Sequence, residues 1–119
     1  AASDVYKRQG FVFPTDNVVV AGMAVVLRTT VPAHQVTVSG DMGSLAAGCT
    51  AAMTVDYYKL GLQAAQLGAD ILEGRTTAAE TPIGVQDVKN PTFNVTAMKR
   101  LGLEIPEDLK AGALLWQKK

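Results

Sequence analysis

The chain has 119 residues, 48% of them hydrophobic and 18% charged, with 11 lysines and arginines against 11 aspartates and glutamates. That size fits one domain or part of one, and that composition excludes a disordered or coiled segment in favour of a well-buried α/β domain. The charge balance lacks the footprint of a nucleic-acid or anionic-membrane binder and leaves a small, roughly neutral solute as the simpler partner.

Cys49 is the single cysteine and His34 the single histidine, so neither an internal disulfide nor a zinc-type ligand spacing is available. No metal and no cofactor is expected. The apolar stretch Val18 to Leu27, interrupted by Gly22, falls well short of the ~20 residues of a membrane span and reads as a core helix. Residues 1–9 show no tie to the pattern that follows and resemble a translated sequencing adapter, so residues 10–119 carry the fold. This reading implies that the natural chain begins upstream.

In chain order, short β-branched or aromatic runs alternate with longer helical ones, the pattern of βαβ units with a parallel sheet. Strand one is expected at Gly10 to Phe13. Its helix runs from Asn17 to Thr29, stopped by Val31-Pro32, and is so apolar on every side that burial all round is expected. Strand two covers Gln35 to Ser39, and His34 before it reads as a loop residue. A glycine-framed turn, Gly40 to Gly43, then leads into a short helix from Ser44 to Ala47 that Gly48 ends. Strand three is expected over Thr50 to Val55 and a long helix over Tyr57 to Glu73, with Gly74 as its stop. Arg75 to Glu80 reads as a polar loop and Pro82 to Val88 as a further strand. Asn94 is placed to cap a helix ending at Gly102, and Pro106 opens a last turn with Glu107 and Asp108.

Three of the expected strands deliver an aspartate at or just past their carboxyl ends, Asp16, Asp41 and Asp56, where ligands bind in open parallel sheets. An acid before a helix is commonly an N-cap worth ~1 kcal/mol, so caps have to be counted first. Thr15, Asp16 and Asn17 offer three cap candidates for one helix, and Ser44 is placed to cap the next helix, which frees Asp41. Asp56 stands alone before Tyr57 and is expected to cap. A carboxylate at a strand end suits an ammonium, and a helix N-terminus suits a carboxylate, so the pair of features fits a zwitterion such as an amino acid. Catalytic signatures are missing, including the Gly-x-Ser-x-Gly elbow, the Gly-x-Gly-x-x-Gly turn and the phosphate loop, so the chain is not read as an enzyme.

A set of segments in fixed order is similar to the C-terminal part of ABC transporter substrate-binding proteins, the group that includes aromatic amino-acid binders. They are Pro14-Thr15-Asp16-Asn17, Gly40-Asp41-Met42-Gly43-Ser44, Gly48, Asp56-Tyr57-Tyr58-Lys59-Leu60-Gly61, Ile71-Leu72-Glu73-Gly74, Asn94, and Leu101-Gly102-Leu103-Glu104-Ile105-Pro106. The resemblance implies a Rossmann-like parallel sheet with flanking helices, mostly the C-terminal lobe of a two-lobed, type I periplasmic-binding-protein-like fold. It implies a missing N-terminal lobe of the same chain, an ABC permease as membrane partner, no nucleic acid, and a place in the periplasm or lipid-anchored outside the membrane. It also implies Thr15, Asp16, Asn17, Asp41 and Ser44 as ligand-binding residues. Two other readings compete: the effector-binding domain of a bacterial transcription regulator of the same fold, and a piece of an α/β enzyme using Asp16 or Asp41 as acid or base.

Overall fold

The computed structural model describes residues 9–88 and 90–117, so residues 1–8 of the adapter-like segment lie outside it. The chain forms two compact units, Ala1–Thr54 with Lys89–Lys119, and Val55–Val88. The first unit holds strands β1 (Gly10–Phe13), β2 (Val36–Ser39), β3 (Ala51–Ala52), β4 (Thr92–Asn94) and β5 (Leu114–Trp116). Its helices are α1 (Asn17–Thr30), α2 (Met42–Ala47), α4 (Val95–Leu101) and α5 (Glu107–Lys110), while the second unit holds α3 (Tyr57–Leu72).

The sheet runs in the order β1-β2-β3-β4-β5. Strands β1, β2 and β3 are parallel neighbours, with Phe13 opposite Ser39 and Ser39 opposite Ala52. The expectation of an all-parallel sheet is corrected at the next step, because β4 pairs antiparallel to β3, with Ala51 opposite Phe93. Between those strands the chain makes its excursion into the second unit and returns from the other direction. β5 is again parallel to β4. Strand three is shorter than expected for the same reason: Met53 N still reaches Ser39 O at 3.0 Å, and the chain then leaves for the second unit.

Buried hydroxyls and amides tie the layers together. Thr37 and Thr50 exchange bonds, each backbone N–H donating to the other's Oγ1 at 3.2 Å. Asn94, 2% exposed, donates Nδ2 to Leu45 O at 2.9 Å and accepts Ala97 N on Oδ1 at 3.0 Å, while its own N–H reaches Thr50 O. One side chain therefore gives the Leu45 carbonyl of α2 a second donor beside Gly48 N and satisfies an orphan N–H at the start of α4. Gly102, at φ 67°, closes α4 in the left-handed conformation that an L side chain resists.

Helix α1 departs from its expected burial. Met23, Leu27 and Thr30 are buried at helical spacing, whereas Val18 and Val25 are 81% and 66% exposed. One stripe packs, with Met23 and Leu27 against Cys49 and with Phe13, Val19, Val26 and Val31 around them. A second cluster joins Ala51, Phe93 and Met98. His34 sits in the turn between α1 and β2 with φ 52°, a loop residue as expected.

In the second unit, Asp56 caps α3 by accepting Tyr58 N and Lys59 N on Oδ1 at 3.0 and 3.1 Å. Gly74, at φ 72°, follows the helix. The strand expected at Pro82 to Val88 does not form, and Ile83 and Val85 stand 93% and 79% exposed. The segment meets Asp56 through a side chain instead: Gln86 bonds both backbone polar groups of Asp56, accepting its N–H on Oε1 and donating Nε2 to its carbonyl at 3.0 Å each. A side-chain amide stands where a strand partner would be.

Candidate functional site

Parallel pairing of Phe13 with Ser39 brings the loops after β1 and β2 out side by side at the carboxyl end of the sheet. Gly40 N donates to Phe13 O at 3.0 Å, and the Thr15 hydroxyl donates to Gly40 O at 2.8 Å. Among the described residues this second bond is the only hydrogen bond linking the Pro14–Asn17 turn to the Gly40–Gly43 turn. Asp16 and Asp41 each follow one end of it.

Both aspartates adopt the same extended backbone, φ −142° with ψ 130° and 139°, and both cap the helix that follows. Asp16 Oδ1 accepts Val18 N and Val19 N at 2.8 and 3.0 Å. Asp41 Oδ2 accepts Ser44 N at 2.6 Å. This corrects the expectation that Ser44 caps the second helix and frees Asp41: the helix begins at Met42, two residues earlier, and Ser44 lies inside its first turn. A hydroxyl there no longer precedes the orphan N–H groups, so the aspartate takes the task.

Capping leaves a distinguishable remainder. Asp16 carries both of its bonds on Oδ1, so Oδ2 has no hydrogen-bond partner among the described residues. Asp41 accepts Ser44 N on Oδ2, and the Gly43 N–H and the Ser44 hydroxyl also act on its carboxylate. Asp56 also caps through Oδ1, but its Oδ2 lies 3.9 Å from Lys59 Nζ. Its separation from the other two therefore rests on an ion pair within its own unit, not on the number of cap candidates.

Burial pushes the Asp41 carboxyl up, but the backbone N–H groups of Ser44 and Gly43 outweigh it and hold the group below the ordinary carboxylate range, with the Ser44 hydroxyl nearby adding to the effect. Asp41 stays ionised at neutral pH. The Ser44 hydroxyl is fully buried and makes no hydrogen bond of good geometry. Asn17 is exposed as the first residue of α1.

Sequence reasoning missed the residues that hold the two acids in place. Asp41 N donates to the hydroxyl of buried Ser39 at 3.2 Å. A Cβ at Gly40 would come within 2.6 Å of Thr15 Oγ1, and one at Gly43 within 3.2 Å of Asp41 Oδ2. The Gly40-Asp-Met-Gly43 frame was the available signal, since two glycines bracketing an acid mark a place where backbone and side chains crowd. Among the described residues no three His, Cys, Asp or Glu side chains are grouped to hold a metal, and no helix is long and apolar enough to cross a membrane.

Residues 2–115 match the model of the family described as ABC transporter substrate binding protein. A tyrosine-binding protein of Clostridioides difficile strain R20291 is 29% identical over 91 residues, which is 76% of this chain and 26% of that protein. Among solved structures, a conserved domain protein of Vibrio cholerae is 26% identical with a TM-score of 0.75, over 98% of this chain and 38% of that one. A ligand-free, open substrate-binding protein with adhesive properties from Clostridium difficile gives 0.75 at 21% identity, over 100% of this chain and 42% of that one. The ABC domain of Streptococcus pneumoniae in complex with L-Trp gives 0.75 at 23% identity, over 96% and 40%. The α/β fold, with its mixed sheet and flanking helices, is that of one lobe of a type I periplasmic-binding-protein-like fold, and the chain spans between a quarter and about two fifths of the length of these relatives.

Proposed function

Because the chain belongs to the ABC transporter substrate binding protein family, whose members bind solute and are not enzymes, we propose that it is a lobe of a protein importing an amino acid. The observation that carries this reading is the pair Asp16 and Asp41, joined through the Thr15–Gly40 bond, each capping the helix that follows while a carboxylate's lone-pair sites outnumber the caps it serves. Two such carboxylates suit an ammonium, which gives charge-assisted hydrogen bonds stronger than neutral ones. The names of two relatives, a tyrosine-binding protein and a domain holding L-Trp, support an amino acid as the solute.

The caps also redistribute roles within the zwitterion. Val18 N and Val19 N are bonded to the Asp16 carboxylate and Val20 N to the Asp16 carbonyl, so α1 offers a ligand carboxylate little beyond Asn17. In this reading the lobe grips the ammonium through Asp16 and Asp41, with Asn17 beside them and Thr15 and Ser44 in the supporting wall. The carboxylate falls mainly to the other lobe. Ligand contacts from both lobes favour the closed state over the open one, and that population shift is what an ABC permease reads at the outer face of the membrane.

Calorimetry of the whole protein with L-tyrosine and L-tryptophan tests the reading. Binding of either amino acid supports it, and binding of neither removes the amino-acid assignment. The 119-residue chain alone, with half the contacts, should bind far more weakly. The family match also sets the chain with transporter components, not with transcription regulators.

A further inference from the structure

We propose that Thr15 is a positioning residue that clamps Asp41 against Asp16 without touching the ligand, an inference that rests on the reading of those two aspartates as the ammonium site. Thr15 immediately precedes Asp16 and Gly40 immediately precedes Asp41, so the 2.8 Å bond from Thr15 Oγ1 to Gly40 O joins the residues in front of both acids. A threonine hydroxyl has one proton to give. Here it is given to Gly40, which leaves the Thr15 side chain no donor for a ligand.

The β1–β2 ladder stops short of the site. Its last bonds involve the Phe13–Ser39 register and Gly40 N to Phe13 O, after which the two chains diverge into their turns. Past that point the Thr15 bond is the one hydrogen bond that joins the two turns among the described residues. The neighbouring geometry is built to admit it. Glycine at 40 is what allows the approach, since a Cβ there would lie 2.6 Å from Thr15 Oγ1 and push the hydroxyl off its acceptor. On the far side, the hydroxyl of Ser39, 2% exposed, accepts Asp41 N at 3.2 Å and fixes the next residue. Gly40 is thus held at its N–H by Phe13 and at its carbonyl by Thr15, and Asp41 leaves it in a set direction. Two carboxylates that must meet one ammonium gain affinity from being held at a fixed spacing before the ligand arrives.

The test uses the whole protein, wild type and with Thr15→Val, Thr15→Ser and Gly40→Ala, and has two arms. In the ligand-free protein, amide hydrogen exchange at Asp41 and Ser44 should speed by about tenfold in Thr15→Val and Gly40→Ala and stay near wild type in Thr15→Ser, which keeps the donor. In calorimetry with L-tyrosine, Thr15→Val should weaken binding about tenfold in the wild-type background and have no further effect when Asp41→Asn is already present, because the clamp acts through Asp41. Unchanged exchange at Asp41 and Ser44 in Thr15→Val overturns the clamp. So does an equal loss of affinity in both backgrounds, which marks a direct ligand contact. If the wild-type protein binds neither L-tyrosine nor L-tryptophan, the amino-acid reading fails, and the exchange arm still decides the clamp.

Discussion

Asp41 Oδ2 accepts the Ser44 backbone N–H at 2.6 Å, which makes the acid at the end of β2 a helix cap before it is anything else. The same holds for Asp16 at the end of β1. Capping and ligand binding are not alternatives for a carboxylate, which has two oxygens and about four lone-pair sites. The question for each aspartate is which oxygen the cap uses and what remains.

That arrangement makes asparagine the informative substitution. Asparagine caps about as well as aspartate, whereas alanine costs about 1 kcal/mol. Asp41→Asn in the whole protein should therefore lower the urea midpoint less than Asp41→Ala while weakening amino-acid binding by roughly tenfold to a hundredfold, the worth of a charge-assisted hydrogen bond. Asp41→Ala should lower both. Equal affinity in Asp41→Asn and wild type would remove Asp41 from the site.

Asp56→Ala should do the reverse. Its Oδ1 holds Tyr58 N and Lys59 N, and its Oδ2 faces Lys59, so its loss should destabilise the start of α3 by about 1 kcal/mol and leave affinity unchanged. Hydrogen exchange at Tyr58 and Lys59 checks the first part and calorimetry the second.

How much of this was legible in the sequence follows from element length and from what competes with pattern. The limits of α1 and α4 could be read because the run Thr15 to Asn17, Asn94 and Gly102 mark them with distinct residue types, although that run left open which of its three residues caps. β4 and β5, three residues each, are too short to show a period, and their partners are set by the chain's return from the second unit. Pro82 to Val88 has the alternation of a strand, yet Gln86 meets Asp56 through its side chain and no sheet edge receives the segment. At the site the acids were visible and their supports were not. That Asp41 and not Ser44 caps α2 depends on where the helix starts, a matter of two residues, and boundaries are the least pattern-determined feature of an element.

Asn94 should prove the costliest of the polar residues to remove. Asn94→Ala strips the cap from Ala97 N and one of two donors from Leu45 O, which keeps Gly48 N at 3.1 Å, an expected loss of about 1–2 kcal/mol. Asn94→Asp keeps the cap oxygen but loses the donor to Leu45, so it should fall below wild type as well. Denaturant unfolding of both variants measures the two contributions.

Acid should loosen the site in a defined window. The folded-state carboxyl of Asp41 titrates below its ordinary value of 3.8, so its contribution is fully present above that value and is lost as pH falls through the lower, folded one. In the second unit, the Arg75 guanidinium and then the Gln66 amide hold Asp70 low in the same sense. Thermal melts of the whole protein should therefore fall below about pH 4, and Asp41→Asn should flatten part of that fall. A profile identical in the two proteins would contradict the assignment.

The most direct measurement compares L-tyrosine with its des-amino analogue, 3-(4-hydroxyphenyl)propionate, by calorimetry on the whole protein, wild type and Asp16→Asn/Asp41→Asn. If this lobe grips the ammonium, wild type should prefer the amine by at least about tenfold, and the double variant should lose that preference while keeping its fold. A preference that survives the loss of both charges would place the ammonium elsewhere and contradict the account.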